Sequence, residues 1–278
     1  MKKSTLSLLT AASLFIVSCH KNNGAGNSPT SNDNYLSSVV TWSGQQILVD
    51  SFSYDGSHRL ARYGQYVYSA GSTTPDQGWS ATFALPGNDA PPTAYTYTTL
   101  DNPGAQDLHQ LSYDGNGRII KDTSLSGTGF VAYYTYPSNA IATTVYFDFD
   151  VRDHQVDTLF MSNGNISKEK VYYPNAAYTA DSLEGSTQYS FSGVTNPAWH
   201  PAVANSIGPL LFILNIDDYG SPLDPLSKNA FSKVGIVDTG LPVGYGYTFN
   251  QQTDSKGRLV QLTPVGGAAG DKVVYNYY

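Results

Sequence analysis

Tyrosines two residues apart recur at Tyr66/Tyr68, Tyr95/Tyr97, Tyr134/Tyr136, Tyr245/Tyr247 and Tyr275/Tyr277. In an extended strand, residues two apart project from one face. Thr, Val, Ile and Phe surround these pairs, the residue types that suit a pleated, half-buried surface. Clusters of Gly, Asn, Asp, Ser and Pro interrupt the pattern every eight to twelve residues or so, the spacing of consecutive hairpins in a sandwich or barrel. The chain therefore reads as all-β: a single antiparallel meander, a curved sheet or barrel-like.

One hairpin sequence repeats. Tyr54-Asp55-Gly56-Ser57-His58-Arg59-Leu60 matches Tyr113-Asp114-Gly115-Asn116-Gly117-Arg118-Ile119, with a looser copy at Thr253-Asp254-Ser255-Lys256-Gly257-Arg258-Leu259. A worn copy, without Arg, is Met161-Ser162-Asn163-Gly164-Asn165-Ile166. Asp and Asn bond their own backbone in tight turns, and Gly takes φ > 0 freely. The Arg opens the return strand, placed to reach back to the Asp or to cover an aromatic neighbour. His58 departs from the pattern, standing where the sister turns have glycine. These units read as structural punctuation, not catalysis.

One segment breaks the β pattern. Residues 196–218 hold Pro197, Pro201 and Pro209 and then the run Leu210-Leu211-Phe212-Ile213-Leu214-Asn215-Ile216. A short run apolar on every side is buried if helical, and Pro is well tolerated in a first helical turn. A short helical insertion is expected over residues 197–216, capping a sheet or plugging a barrel mouth, with strand resuming over residues 228–234.

The N-terminus carries an address. Lys2 and Lys3 precede a short apolar stretch that ends at Ser18, followed by Cys19, the chain's single cysteine. Charged region, apolar region and small residue make a secretory signal over residues 1–18. A cysteine at the cut resembles the lipobox of bacterial lipoproteins, which implies that Cys19 is acylated and becomes the first residue. Residues 19–34 are polar and rich in Gly, Asn and Ser, a composition that buries too little apolar surface to fold and reads as a lipidated, flexible tether. The β domain then occupies residues 35–278. No stretch reaches the roughly 20 apolar residues of a spanning helix, so the membrane contact expected is the acyl anchor.

Removing residues 1–18 deletes two lysines and no acid, which takes the net charge from -7 to -9. An acidic chain without a basic stripe is not a nucleic-acid binder. With Cys19 acylated, no disulfide is available, and the body must rely on its core. A lipid-spanning barrel is disfavoured, because Lys272 and Asn276 share a strand face with Tyr278 where lipid would demand apolar residues.

The lipobox start, the Tyr-Asp-x-x-Gly-Arg hairpins, the Asn196-Pro197 stretch with its apolar helix, Ser227-Lys228-Asn229 and the Tyr-rich last strand occur in that order. Together they resemble a group of uncharacterised Bacteroidota lipoproteins whose domain of unknown function has a porin-like antiparallel β fold. The hairpins separately resemble the YD repeats of Rhs-type shell proteins and teneurins. The first resemblance implies a fold and an envelope location and brings no activity. The lack of acidic residues directly after Cys19, which some Bacteroidota lipoproteins use as a surface-export tag, favours the periplasmic face of the outer membrane over the cell surface.

Chemistry is sparse. In Tyr146-Phe147-Asp148-Phe149-Asp150-Val151-Arg152-Asp153-His154, read as a strand, Asp148 and Asp150 share a face, as a carboxylate pair for glycoside hydrolysis requires; a sheet wetted on one side explains the alternation better. The five histidines are scattered without zinc spacing, Asp217-Asp218-Tyr219-Gly220 lacks the ligand alternation of a calcium loop, and no metal or cofactor is expected. Aromatic side chains remain. Trp42, Trp79 and Trp199 sit beside loop-like residues and are the candidate ligand-contact aromatics at a rim. The reading is a non-enzymatic, lipid-anchored binding or accessory module for a glycan, a peptide or a lipid. The alternatives are a structural or assembly lipoprotein of an envelope complex and, third, a glycoside or peptide hydrolase.

Overall fold

The computed structural model describes residues 35–87, 90–127, 129–147, 150, 152–198, 201–216, 224–238 and 245–278. The strands follow one another as hairpins: β1 (Leu36–Ser43), β2 (Gln46–Tyr54), β3 (Leu60–Ser69), β4 (Gln77–Ala84), β5 (Ala94–Thr99), β6 (Gln106–Tyr113), β7 (Ile119–Ser124) and β8 (Val131–Thr135). The second half continues with β9 (Ala140–Tyr146), β10 (His154–Ser162), β11 (Asn165–Pro174), β12 (Asp181–Thr195), β13 (Asn229–Asp238), β14 (Tyr245–Thr253), β15 (Leu259–Pro264) and β16 (Lys272–Tyr277). Between β12 and β13 lie α1 (Pro201–Ser206) and α2 (Gly208–Ile216), inside the segment expected to be helical.

Each strand pairs antiparallel with its sequence neighbours, and β16 returns to β1 with Ser38 opposite Asn276 and Val40 opposite Val274. The all-β expectation is thus met as a closed barrel, which leaves no edge strand to be protected. The even strand number brings both chain ends to the same rim, where the Tyr278 N–H donates to the Tyr35 carbonyl at 3.2 Å.

The repeated hairpins form at that rim, joining β2–β3, β6–β7, β10–β11 and β14–β15, one for every four strands. In three of them the aspartate does the same work. Asp55 Oδ1 accepts the N–H groups of Ser57 and Arg59, and Oδ2 accepts Arg59 Nε; Asp114 and Asp254 repeat the set with Arg118 and Arg258. The position before the arginine is left-handed in each, at φ 62 for His58, 75 for Gly117 and 76 for Gly257. The worn copy is a two-residue turn with Asn163 and Gly164 both at positive φ, the geometry that matches strand twist in a tight hairpin.

The same rim is plugged by the helices. Ile207, Leu210, Leu211 and Ile213 join the main core with wall residues Leu36, Leu60, Ile119 and Leu259. On the other side Phe212 and Leu226 pack on Ile141, Leu159 and Ile166. Leu210 to Ile213 are therefore buried and Leu214 partly buried, as the all-round apolar composition requires. Polar ties fix the plug: Asn196 Nδ2 donates to the carbonyls of Asp224 and Ser227, and Ser227 Oγ accepts the Ile166 N–H of β11.

Facing decides the two sides of the wall. Inward rows carry the aromatics Tyr63, Trp79, Tyr95, Tyr134 and Tyr275, all at most 5 % exposed. Of the paired tyrosines, only Tyr66 and Tyr68 are on the outward row of their strand among those whose side chains are described. Outward rows place Arg62, Gln110, Lys121, Lys170, Lys233 and Asn250 in mid-wall. These charged and polar side chains, beside the exposed Leu108, Tyr133 and Phe160, make a pattern that departs from the continuous outward apolar band about 25 Å tall of a lipid-facing wall. Lys272 and Asn276 agree with it, the first lying 4.8 Å from the Trp42 ring and the second donating to Ser38 Oγ on the outer face.

Candidate functional site: a cleft at the plugged end

A cleft of about 440 Å³ opens at the plugged rim between two of the repeated hairpins and α1. Its floor is apolar, made by Leu60, Leu85, Val203 and Ile207, and one wall is the Pro91-Pro92 pair. Polar groups gather at the mouth: Ser57, His58, Asn116 and Ser206. The size and the mixture are those of a small-molecule site, about 300–1,000 Å³, mostly apolar with a few placed polar groups.

The aromatic side of the cleft is the seam where the barrel closes. Tyr35 stacks on His58 with ring centroids 5.0 Å apart and planes 9° from parallel. Behind them Tyr54 lies 5.0 Å from Tyr35 and 6.1 Å from Tyr278, whose hydroxyl donates to the Phe52 carbonyl at 2.7 Å. Burial, with Tyr278 and Tyr35 alongside, holds the Tyr54 hydroxyl far above the ordinary tyrosine range. It stays neutral and part of the wall.

Arg59 lines the cleft as well, but its charge is committed. Nε and Nη2 grip Asp55, at 2.8 and 2.7 Å, and Nη1 donates to the Pro86 carbonyl at 2.6 Å. Partial burial pushes the Asp55 carboxyl up, and the hydrogen bonds from Arg59 and Ser57 outweigh it and hold the group below the usual carboxylate range. Asp55 is therefore a firm anion, and the pair contributes little net charge to the mouth.

A second polar constellation lies inside the barrel. His109 Nδ1 is 2.9 Å from Asp122 Oδ1, and its Nε2 is 3.3 Å from Asp107. Tyr95 donates to Asp122 Oδ2 at 2.7 Å, and Ser124 donates to Asp107 at 2.6 Å. A histidine beside an aspartate suggests a catalytic triad, but the serine is turned to the second aspartate and both ring nitrogens face carboxylates. A general base needs a free nitrogen within reach of its proton donor; this cluster instead ties β5, β6 and β7 together. Among the described residues no group of three or more His, Cys, Asp or Glu side chains is placed to hold a metal ion.

The structure sorts the residues singled out in sequence. Trp79 is not a rim residue: it is 4 % exposed, edge-on to Tyr63 and stacked on Tyr97 inside the barrel. Its neighbours in sequence are polar because they face outward. Trp42 lies on the outer wall under Lys272, away from the cleft. Trp199, Cys19, His200 and residues 217–220 lie outside the described residues. The acidic stretch at 146–154 is not a strand throughout, since β9 ends at Tyr146 and β10 begins at His154. Asp150 caps the intervening turn and pairs with Arg152 at 2.9 Å, and Asp148 lies outside the described residues. Tyr35 and His58 were not among the predicted aromatics. The signal for His58 was its place in a glycine position; Tyr35 gave none beyond ending the polar tract.

Fold and cleft together define a closed, sixteen-stranded, helix-plugged antiparallel barrel. No family model and no curated protein matches the chain. Among solved structures, it is similar to a porin-like protein from Bacteroides vulgatus at 11% identity, covering 88% of this chain and 99% of that one with a TM-score of 0.43. A porin-like protein from Bacteroides uniformis is similar at 13% identity, covering 87% and 96% with a TM-score of 0.40.

Proposed function

We propose that this protein is a lipid-anchored, non-enzymatic binding module of the cell envelope that captures a small ligand, a glycan, peptide or lipid end, in the cleft at its plugged rim. The observation that carries the reading is the cleft itself: an apolar floor with the Ser57, His58 and Asn116 side chains at its mouth, in a barrel whose outward rows carry charged and polar side chains. Cys19 lies sixteen residues before Tyr35, the first residue of the cleft wall. An acyl anchor there holds the plugged rim, and so the cleft, toward the membrane that carries it.

Two measurements test this. Metabolic labelling with an alkyne fatty acid marks the mature protein, and Cys19→Ala removes the label and releases the protein to the soluble fraction; a protein unlabelled in the first place ends the anchoring half. Ser57→Trp fills the cleft mouth from an exposed turn position without touching the core. It abolishes capture from panels of glycans, peptides and lipids, and undiminished capture by this variant ends the cleft half.

A further inference from the structure

Resting on that reading of the cleft, we infer that its ligand is an uncharged sugar, a monosaccharide or the terminal disaccharide of a glycan, seated against the Tyr35–His58 pair. Charge comes first. No lysine and no carboxylate lines the cleft among the described residues, and Arg59 is spent on Asp55 and on the Pro86 carbonyl. A phosphate or carboxylate ligand gains no free cation, and an amine gains no anion. A buried charge without a partner is costly, so neutral ligands are favoured.

Shape comes second. A sugar ring has an apolar face and a polar girdle, and it needs a flat aromatic surface beside hydrogen-bonding side chains. Tyr35 and His58 stack with their planes 9° from parallel, and the outer face of this stack is the surface. Ser57 and Asn116 supply the girdle: their backbone N–H groups serve the turn aspartates, which leaves the hydroxyl and the amide at the mouth. A peptide entering as an added strand finds no place, because the closed barrel has no edge.

The departure from the hairpin repeat falls on this surface. Gly117 and Gly257 occupy the left-handed position of the sister turns at no steric cost, whereas His58 holds φ 62 with a side chain that costs roughly 1–2 kcal/mol in that region. The imidazole that replaces glycine here stands in the cleft, and the equivalent residue of the turn at Asp254 lines no part of it.

The test uses the mature full-length protein in detergent. Methyl glycosides and disaccharides of glucose, galactose, mannose and N-acetylglucosamine are titrated by saturation-transfer NMR and calorimetry, beside sialic acid, glucose 6-phosphate, a proline-containing tetrapeptide and a lyso-phospholipid. The expected result is saturable binding of at least one neutral sugar, weakened tenfold or more in His58→Gly and in Ser57→Trp with unchanged melting curves. His58→Gly folds because its sister turns carry glycine, so loss of binding cannot be loss of fold. Binding of the peptide or the lipid, blocked by Ser57→Trp, with no neutral sugar bound, overturns the sugar and leaves the binding module standing. Sugar binding indifferent to both substitutions overturns the site. No ligand lost on Ser57→Trp overturns both readings.

Discussion

The guanidinium of Arg258 stands 4.2 Å above the ring of Tyr277, and the Tyr277 hydroxyl donates at 2.7 Å to the carbonyl of Leu259, the residue after that arginine. Arg118 and Tyr136 reproduce the relationship at 4.2 Å, with a 2.7 Å bond to the Ile119 carbonyl. Each tyrosine thereby clamps a repeated hairpin against a strand of the same four-strand unit. Burial, offset in part by Arg258 and reinforced by Asp254, pushes the Tyr277 hydroxyl up to about 12, so it donates at every physiological pH.

Tyr277→Phe removes the hydrogen bond and keeps the ring, and it should cost about 1 kcal/mol. Tyr277→Leu loses the cation–π contact as well, worth about 0.5–1 kcal/mol more. Chemical denaturation read by tryptophan fluorescence measures both. Equal stability of the two variants would mean that the arginine gains nothing from the ring.

A buried carboxylate sets the pH dependence. Burial pushes the Glu169 carboxyl up, the hydrogen bond from the Tyr189 hydroxyl at 2.9 Å partly opposes it, and Asp224 adds to the rise. Asp224 is raised too, by burial, against the bonds from Ser227 and Leu226. A raised acid keeps its proton longer in the folded state than in the unfolded chain. Stability from these groups is therefore full below the ordinary carboxylate range and falls as pH rises through the folded values. Glu169→Gln keeps an oxygen for Tyr189 and removes the charge. It should raise the melting temperature by a few degrees at pH 7 and leave it unchanged at pH 4. An equal shift at both would show that packing, not charge, is responsible.

The turn aspartates run the other way. Backbone and side-chain bonds from their arginines hold Asp114 and Asp254 below the usual carboxylate range. Their contribution is present above the unfolded value and is lost as pH falls through the folded one. Both effects disappear from sight in sequence, and the reason is physical. The hairpins were legible because Asp-x-x-Gly-Arg is local chemistry, complete within seven residues. The plug was legible because Leu210 to Leu214 are apolar on every side. Closure was not, since it rests on β1 meeting β16, 238 residues apart at the Ser38–Asn276 contact. Nor was the cleft, which assembles Tyr35, His58, Asn116 and Ile207 from four separate elements. Trp79 reads as a rim residue in sequence because a strand buried on one face alternates it with the outward Ser80 and Thr82, and because it follows Gln77 and Gly78 at the strand's start.

The plug depends on a small residue. A Cβ at Gly208 would lie 2.7 Å from Leu226 Cδ2 and 3.3 Å from the Val203 carbonyl. Helix propensity alone favours alanine over glycine by about 1 kcal/mol. Overpacking of a buried contact costs about 1–3 kcal/mol and should win here. Gly208→Ala is therefore expected to destabilise, with increased hydrogen exchange in α1 and α2 ahead of the wall. A stabilised variant would show that Leu226 swings aside freely.

Asp122 is the keystone of the interior cluster. It is fully buried, taking the Tyr95 hydroxyl on one oxygen and His109 on the other. Asp122→Ala leaves Tyr95 and His109 part-stranded, with only each other at 2.8 Å and the Asp107 carboxylate as partners, and under-satisfying buried polar groups costs about 1–3 kcal/mol. Adding Tyr95→Phe and His109→Leu removes the stranded groups, so the triple variant should recover much of that loss. The coupling arises because residues in one hydrogen-bond network do not act independently. Urea denaturation of the single and triple variants reads it directly. Strict additivity would mean that the three side chains are neighbours without forming a network, and that β5, β6 and β7 are held by their backbone ladder alone.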